Sequence, residues 1–491
     1  MGPIATGSKV VEDPKILERL AGTVRKVLGV EMEAHAIGAV AWDHRLPFLV
    51  MKGVMDHGDK FKDDRYKQFA ARASAECLLA FFRQHLPPSK GEEVLDPLIS
   101  ELSPERKNPA SLLSARYQVV GFLGRETEVQ SLREWCEAPE PVSLRLYHGP
   151  GGQGKTRLMI EVCRQFRERG WRAGFLKEKE ADKAVAAVGE LVSDGGPALM
   201  VLDYAETEQD FTRRILERVA FLRDRKQGHL RVVLLARNAG DWWESLQKQS
   251  DPISLLTQTP PFPLAPLAQQ GLSGRQGLFQ WGLSEYSRAL NEVRPTREVD
   301  LQEERFGRPL YVLMAALLAV QGLLPEKMDA KSLLDWTLTH EEKFWWQPEK
   351  QDQKTRIQEE ARKMLAAITL RGGVFQAEGE ALVGKITHRT QEQRESILDQ
   401  FHTLYGTAHL WIGGLEPDLL GELLVWKVLQ ATEQEGFMEK VLENAGIYEL
   451  YHSFRILGAL SSEQKTDPWI RRLLQEDLSQ RSIALLNAAQ T

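Results

Sequence analysis

Residues 149–156 read Gly149-Pro150-Gly151-Gly152-Gln153-Gly154-Lys155-Thr156, the spacing G-x-x-x-x-G-K-[ST]. Glycines placed in this way let the main chain wrap closely, so that its N–H groups face phosphate oxygens. The N-terminus of a following helix then adds the positive end of its dipole. In such a loop Lys155 reaches the β- and γ-phosphates of a nucleoside triphosphate and Thr156 ligates magnesium. A glycine-rich turn that happens to hold Lys and Thr is the plain alternative, and the strand-like run before it and helix-like run after it weigh against that. Downstream, Pro197-Ala198-Leu199-Met200-Val201-Leu202-Asp203 is an apolar run ending in an acid, as expected of a buried strand that carries a magnesium-linked carboxylate. Glu206 has two even readings, a group that polarises the attacking water or a solvated acid at a helix start. Val232-Val233-Leu234-Leu235-Ala236 ends in Arg237, which puts a cation at the C-terminal edge of the sheet, where ligands of such folds bind. There it would sense a γ-phosphate.

Elements must hold these groups together. Between Tyr117 and about Phe262 the pattern is strand, glycine loop, helix, repeated: Ser143–His148, the loop, a helix through Phe166, then strands at Ala198–Leu202 and Arg231–Ala236. Strands alternating with helices predict a parallel sheet covered on both faces. His148, Trp242 and Trp243 read as packing residues. After Pro263 helices take over, and Leu310–Leu324 reads as a buried helix. From about Lys331 to Val425 helices lead to a strand-like run, Ala408–Ile412, and a Gly413-Gly414 turn, which suits a winged-helix module. Before the loop, Phe48–Val54 reads as a buried strand and Tyr66–Leu86 as an amphipathic helix. Pro87–Ala115 reads as a linker with one short helix. The expected divisions are therefore 1–86, a linker 87–115, a nucleotide-binding domain 116–262, a helical domain 263–330, a winged-helix-like domain 331–425, and a helical segment 426–491 that resembles the beginning of a repeat or sensor region. The fold class is multidomain α/β.

At 491 residues the chain is long enough for several domains. Its 42% hydrophobic and 27% charged residues are ordinary globular usage, which excludes wholesale disorder. A net charge of -6 gives no global electrostatic reason to bind nucleic acid. Cys77, Cys136 and Cys163 have neither zinc-knuckle nor disulfide-framework spacing, which suits a reducing cytosol. No apolar run is long enough to span a bilayer, and the N-terminus has no signal-like pattern, so the expectation is a cytoplasmic protein with no membrane partner.

Taken together, the motifs over about Arg116–Val425 resemble the STAND family of signal-transducing NTPases, related to NB-ARC and NACHT proteins. Phe122-Leu123-Gly124-Arg125-Glu126 resembles the family's opening motif, whose neighbourhood contacts adenine, which implicates Gly124 and Arg125. Gly307-Arg308-Pro309-Leu310 is similar to its GxP motif, with Pro309 at the nucleotide. The resemblance implies ATP/ADP and Mg2+ as cofactors, slow hydrolysis, a closed ADP state, and self-oligomerisation on exchange for ATP in answer to a protein or ligand trigger. Where many relatives have Met-His-Asp, this chain has Glu416-Pro417-Asp418-Leu419. The histidine that would touch the ADP phosphate is missing.

Residues 1–86 resemble the C-terminal half of the nucleoside phosphorylase and nucleosidase family, through Gly2-Pro3-Ile4-Ala5-Thr6-Gly7, Glu31-Met32-Glu33-Ala34 and Met51-Lys52-Gly53-Val54-Met55-Asp56. By that resemblance Met32 and Glu33 hold the ribose of a purine nucleoside or nucleotide, and Asp56 protonates or hydrogen-bonds the purine N7. Glycosidic cleavage needs both tasks, because the sugar becomes cationic while the base must leave neutral. Each acid has a bland reading as a loop or helix-start carboxylate. His57-Gly58-Asp59 departs from the aromatic-Ala-Asp that commonly follows. The likeness starts in mid-fold, so the rest of the pocket is expected from elsewhere, or the domain is a remnant.

The reading is an ATP-binding STAND switch controlling a purine nucleosidase- or phosphorylase-like effector, with a role in bacterial-type immune (anti-phage) defence. The rivals are an ATP-dependent transcription regulator using the winged helix and a nucleoside-salvage enzyme. The acidic balance and the lack of a basic recognition helix speak against the first, and the second leaves most of the chain unused.

Overall fold

A computed structural model describes residues 4–6, 15–23, 29–31, 34–35, 50–54, 66–85, 94–99, 106–176, 181–193, 195–207, 209–224, 228–249, 251–268, 274–296, 299–345, 354–407, 410–432 and 436–461. The chain forms two compact units, Met1–Ser89 and Lys90–Thr491.

In the first unit β1 (Ile4–Thr6) and β2 (Gly29–Glu31) pair in parallel, with Ile4 opposite Gly29. A parallel pair needs a crossover, and α1 (Ile16–Ala21) lies in it. The helix expected over 66–86 is present as α2 (Lys67–His85). Phe48–Val54, by contrast, is not a strand over its described part, 50–54. The Gly53 N–H donates to the Ser74 hydroxyl of α2 at 2.6 Å instead of to a strand neighbour, and Val54 is 85% exposed. Met32, Glu33 and Asp56 lie outside the described residues.

The second unit is built on a six-stranded sheet of order β3-β5-β6-β7-β4-β8. Its strands are β3 (Leu95–Asp96), β4 (Val142–His148), β5 (Arg172–Leu176), β6 (Pro197–Leu202), β7 (His229–Ala236) and β8 (Phe262–Pro263). All neighbours are parallel except β3, which runs antiparallel to β5 at the edge. Six of the eight β7 residues are apolar, and they are buried as both faces of a parallel strand require. One face packs Leu144, Leu146, Met200, Val232 and Leu234 with Trp242 and Trp243, which are core residues. The other packs Tyr147, Leu199, Val201, Val233 and Leu235 beneath α3 (Glu126–Glu137) and α4 (Lys155–Glu168).

Helices form the rest. The apolar run expected as a buried helix over 310–324 is buried and helical only to Val320, in α5 (Pro309–Val320), with Gly322 exposed beyond its end; Pro309 stands at its first turn, where its missing N–H costs nothing. After it come α6 (Ala330–Glu341), α7 (Lys354–Leu370), α8 (Gln376–Ile386) and α9 (Gln391–Tyr405). The strand-like run at 408–412 contributes, over its described part, a single antiparallel bridge from Ile412 to Val374. Gly413 turns away at once, its N–H donating to Tyr405 O at 3.0 Å. Next, α10 (Asp418–Thr432) runs straight through position 425, because Leu420, Leu424, Val425, Val428 and Leu429 form one buried stripe. The described chain ends with α11 (Phe437–Leu442) and α12 (Ile447–Ser461).

Of the segment 87–115, the described parts, 94–99 and 106–115, are anchored to the second unit. Leu95 and Asp96 join the sheet, while Ala110, Leu112 and Leu113 bury in the helical core. Arg106 donates from Nε to Thr403 O at 2.8 Å and from Nη2 to Gly406 O at 2.9 Å. Glu341, fully buried on α6, accepts from Asn108 Nδ2 and from the Ala110 N–H, both at 2.6 Å, and from the Tyr405 hydroxyl. The Trp345 indole in turn donates to Tyr405 Oη at 2.5 Å. A carboxylate without a cation survives such burial only because donors surround it. Tyr405→Phe removes one donor from the carboxylate and leaves the indole N–H unmet. The expected cost is about 1–3 kcal/mol, read as a lower urea midpoint.

Candidate nucleotide-binding site

The order of the sheet brings the site together. β7 lies between β4, which leads into the phosphate-binding loop, and β6, which leads to Asp203. Arg237, at the end of β7, is thereby inserted between them. The chain leaves β4 through Gly149–Gly154 and enters α4 at Lys155, with Gly152 at φ +77° and Gly154 at φ +88°. A side chain at either position would be strained, and a Cβ on Gly152 would come within 3.0 Å of Leu310 Cβ.

The loop is clamped from several sides. Arg125, in the opening motif, donates from Nη2 to Gln153 O at 3.2 Å, and Gly124 precedes it at φ +82°. The Gln153 amide donates to Ala265 O at 2.7 Å. From the GxP-like segment the Leu310 N–H donates to Gly152 O at 3.2 Å, and Pro309 Cγ stands 3.6 Å from the ideal Cβ position of Gly154. Leu419 packs on Gly151 and Gly152 from α10. All three segments singled out in the sequence, 122–126, 149–156 and 307–310, therefore meet.

Around the loop the charged groups converge. Lys155 Nζ donates to Gly149 O and, at 3.2 Å, to Pro150 O. Burial lowers the pKa of its amine, against the pull of Asp203 and Glu206. The Thr156 hydroxyl donates to Asp203 Oδ2 at 2.8 Å, and the Tyr204 N–H donates to Asp203 Oδ1 at 3.0 Å. Burial raises the Asp203 carboxyl. Glu206, only 2% exposed, accepts the Arg237 N–H on Oε1 at 2.9 Å. Its Oε2 has no hydrogen-bond partner among the described residues, and burial raises this carboxyl too. The solvated helix-start reading of Glu206 is thus overturned: the chain folds it inward against the backbone of β7.

Magnesium fits this donor set. Thr156 Oγ1 and Asp203 are hard oxygen donors, and Mg2+ takes one or two carboxylates together with phosphate oxygens in preference to an all-protein cage; the orphaned Glu206 Oε2 is left for a water. Among the described residues no three His, Cys, Asp or Glu side chains gather as such a cage.

The Arg237 side chain takes a second direction, toward the helical body. Its Nη2 donates to Glu422 and lies 3.4 Å from Asp418 Oδ2, both on α10. Asp418 Oδ2 also accepts the Tyr204 hydroxyl at 2.5 Å and Arg455 Nη1, from α12, at 3.3 Å. The Arg455 guanidinium lies 4.2 Å from the centre of the Tyr204 ring. Burial alone would push the Asp418 carboxyl up, but Arg455 and Arg237 outweigh it and hold it well below the usual range. Arg237 loses by burial and gains more from Glu422 and Asp418, so its pKa is raised. Sequence reasoning had aligned Asp418 but missed Tyr204, Glu422 and Arg455. For Arg455 a signal existed: a charged residue between Phe454 and Ile456 in a helix whose buried side otherwise carries apolar residues and Ser453.

A two-sided parallel αβα sheet, a glycine loop opening a helix at Lys155-Thr156 and an acid on the strand two places away define the class, a P-loop nucleotide-binding module. No family model matches the chain. Among curated proteins it is 34% identical over 82 residues, 17% of its length, to the ATP nucleosidase Cap17 of Escherichia coli (strain KTE188). It is 35% identical over 83 residues, 16% of its length, to the 5'-methylthioadenosine/S-adenosylhomocysteine nucleosidase of Geobacillus thermodenitrificans (strain NG80-2). The chain spans 16% of the first relative and 35% of the second. Among solved structures, the Walker-type ATPase PABY2304 of Pyrococcus abyssi aligns with 60% of this chain and 93% of its own, at 17% identity and TM-score 0.31. The Aeropyrum pernix ORC2 protein aligns with 66% of this chain and 98% of its own, at 12% identity and TM-score 0.33. No helix among the described residues is long and apolar enough to cross a membrane.

Proposed function

We propose that this chain is an ATP-binding switch of the STAND type, acting in the cytoplasm, that controls a purine nucleosidase- or phosphorylase-like effector. The observation that carries the switch is the route from Arg237 to Asp418 and Glu422, which ties the edge of the sheet beside the phosphate loop to a helix of the C-terminal body. In this reading Gly149–Thr156 cradles the phosphates of ATP or ADP, Lys155 faces the β- and γ-oxygens, and Thr156 with Asp203 holds Mg2+, which neutralises developing phosphate charge. Arg125 and Pro309 fix the shape of the loop. Glu206 orients a water for slow hydrolysis, held ready by the Arg237 N–H. On the effector side, the likeness to the nucleosidases supports Met32 and Glu33 at the ribose and Asp56 at the purine base. Completion of that pocket, self-oligomerisation, a protein or ligand trigger and a role in bacterial-type immune defence belong to the same proposal.

The test is calorimetric titration of the full chain with ATP and ADP, while chromatography follows the release of free adenine. Saturable binding of both nucleotides is expected. A well-folded chain that binds neither would sink the switch. Adenine release at full rate, equally from ATP and from simple nucleosides and with no nucleotide effect, would favour the salvage enzyme.

A further inference from the structure

The described residues include several buried arginines, and they divide into two kinds. Arg231 and Arg275 each spend the guanidinium on four backbone carbonyls: Trp135, Ala138, Glu140 and Leu230 for the first, Leu267, Leu301, Gln302 and Glu303 for the second. Arg371 donates to Val441 O, Glu443 O and Glu449. These close loops and helix ends, and their acceptors are fixed main chain or a dedicated carboxylate.

Arg455 is of the other kind. It is 9% exposed, yet its hydrogen bonds run to side chains, Asp418 Oδ2 at 3.3 Å and His452 Nε2 at 2.9 Å. The one acidic oxygen it uses is shared with Arg237 and with the Tyr204 hydroxyl. Three donors on a single carboxylate oxygen is poor coordination for two guanidiniums, each of which could take a bidentate oxyanion. The ring beneath Arg455 belongs to Tyr204, the residue directly after Asp203, whose carboxylate meets Thr156. A cation from the far end of the described chain is therefore stationed one residue from the acid of the phosphate site, on a counterion that the sensor-like Arg237 also uses.

Resting on the nucleotide-binding reading above, we propose that Arg455 is a second γ-phosphate-reading arginine, with Asp418 as its resident counterion. A γ-phosphate offers Arg455 several oxygens in place of the one shared Oδ2, and offers Arg237, which keeps Glu422, oxygens in place of its share of Asp418, so a triphosphate gains from both arginines. A diphosphate lacks the group they would bind, and both remain on Asp418. Arg455 is then a residue that distinguishes ATP from ADP, and Asp418 sets the threshold.

The experiment titrates the full chain, with magnesium, against a non-hydrolysable ATP analogue and against ADP, using wild type, Arg455→Ala, Arg455→Gln, Asp418→Asn and, as the control for the site itself, Lys155→Ala. Loss of one charge-assisted contact to the γ-phosphate should weaken the triphosphate by about tenfold or more in both Arg455 variants and leave ADP nearly unchanged. Asp418→Asn should shift the ratio the other way, toward the triphosphate. Equal weakening of both nucleotides by Arg455→Gln in a folded chain would assign Arg455 to structure alone and overturn the proposal. So would no change in either nucleotide, provided Lys155→Ala still abolishes binding. Should wild type bind neither nucleotide, the underlying site reading fails first. The Asp418→Asn result decides the matter if both Arg455 variants fail to fold: an unchanged ratio there counts against a resident counterion.

Discussion

Lys155→Ala should abolish measurable ATP binding while the chain stays folded. The amine's hydrogen-bond partners are carbonyls of its own loop, Gly149 O and Pro150 O, so its removal opens no core. The loop keeps its other clamps, from Arg125 to Gln153 O and from Leu310 to Gly152 O. A half-desolvated ammonium facing two phosphates contributes charge-assisted bonds of about 1.5–3 kcal/mol each. At about 1.4 kcal/mol per tenfold, the loss is about a hundredfold or more in affinity. Calorimetry reads the affinity, and circular dichroism with a thermal scan reads the fold. Near-wild-type affinity in the variant would remove Lys155 from the site, and with it the reading of residues 149–156.

Asp418→Ala carries the second large effect, and it falls on architecture. The substitution leaves Arg455 without its carboxylate, the Tyr204 hydroxyl without its acceptor, and Arg237 with Glu422 alone. Breaking a buried ion pair by deleting one partner costs about 3–5 kcal/mol. The Asp418 side chain retains 26% exposure, so a value near the lower end, about 3 kcal/mol, is expected. The readout is a lower urea midpoint together with faster proteolysis of α10 and α12. The acid limb of stability gives an independent check. The Asp418 carboxyl is held below its unfolded value, mainly by Arg455 and Arg237 against burial. The folded state thus sheds this proton more readily than the unfolded state. Its contribution is present above the ordinary carboxylate value of about 4 and is lost as pH falls below it. As pH falls below that value, the variant should lose less stability than wild type, and above it the two should run parallel. An identical acid limb in both would mean that the carboxylate is not the counterion the geometry indicates.

How much of this was legible in the sequence depended on whether the signal was local. The loop at 149–156 has all its information in eight consecutive residues, and the strands at 198–202 and 231–236 announce themselves by apolar runs too short for helices. Helical periodicity likewise located the helix ending at His85, and a continuous apolar run located the buried helix that begins beside Leu310. Long-range partnerships left no such trace. Leu95-Asp96 is two residues long, and only pairing with β5 makes it a strand. The apolar content of 50–54 looked like a strand because composition cannot show that Gly53 finds its acceptor on a helix. Arg237 could be placed at a sheet edge, but its partners stand 181 and 185 positions away. Glu206 was undecided because a carboxylate after a strand reads the same whether it turns outward or, as here, back under the neighbouring strand's first free N–H.

The segment ahead of the loop sets a limit on motion. Asp96 is fixed in the sheet at the edge farthest from β8, while Arg106 and Asn108 are fixed to the helical body through Thr403, Gly406 and Glu341. Nine residues, 97–105, lie between Asp96 and Arg106, ten Cα-to-Cα steps in all. Fully extended, such a span reaches about 33–36 Å. With both anchorages intact, this length of chain caps any separation of the two anchor points. A wider separation would first have to peel two residues from β5 or extract Asn108 from a buried carboxylate, so that cap is held by a two-residue strand that looked, in the sequence, like slack.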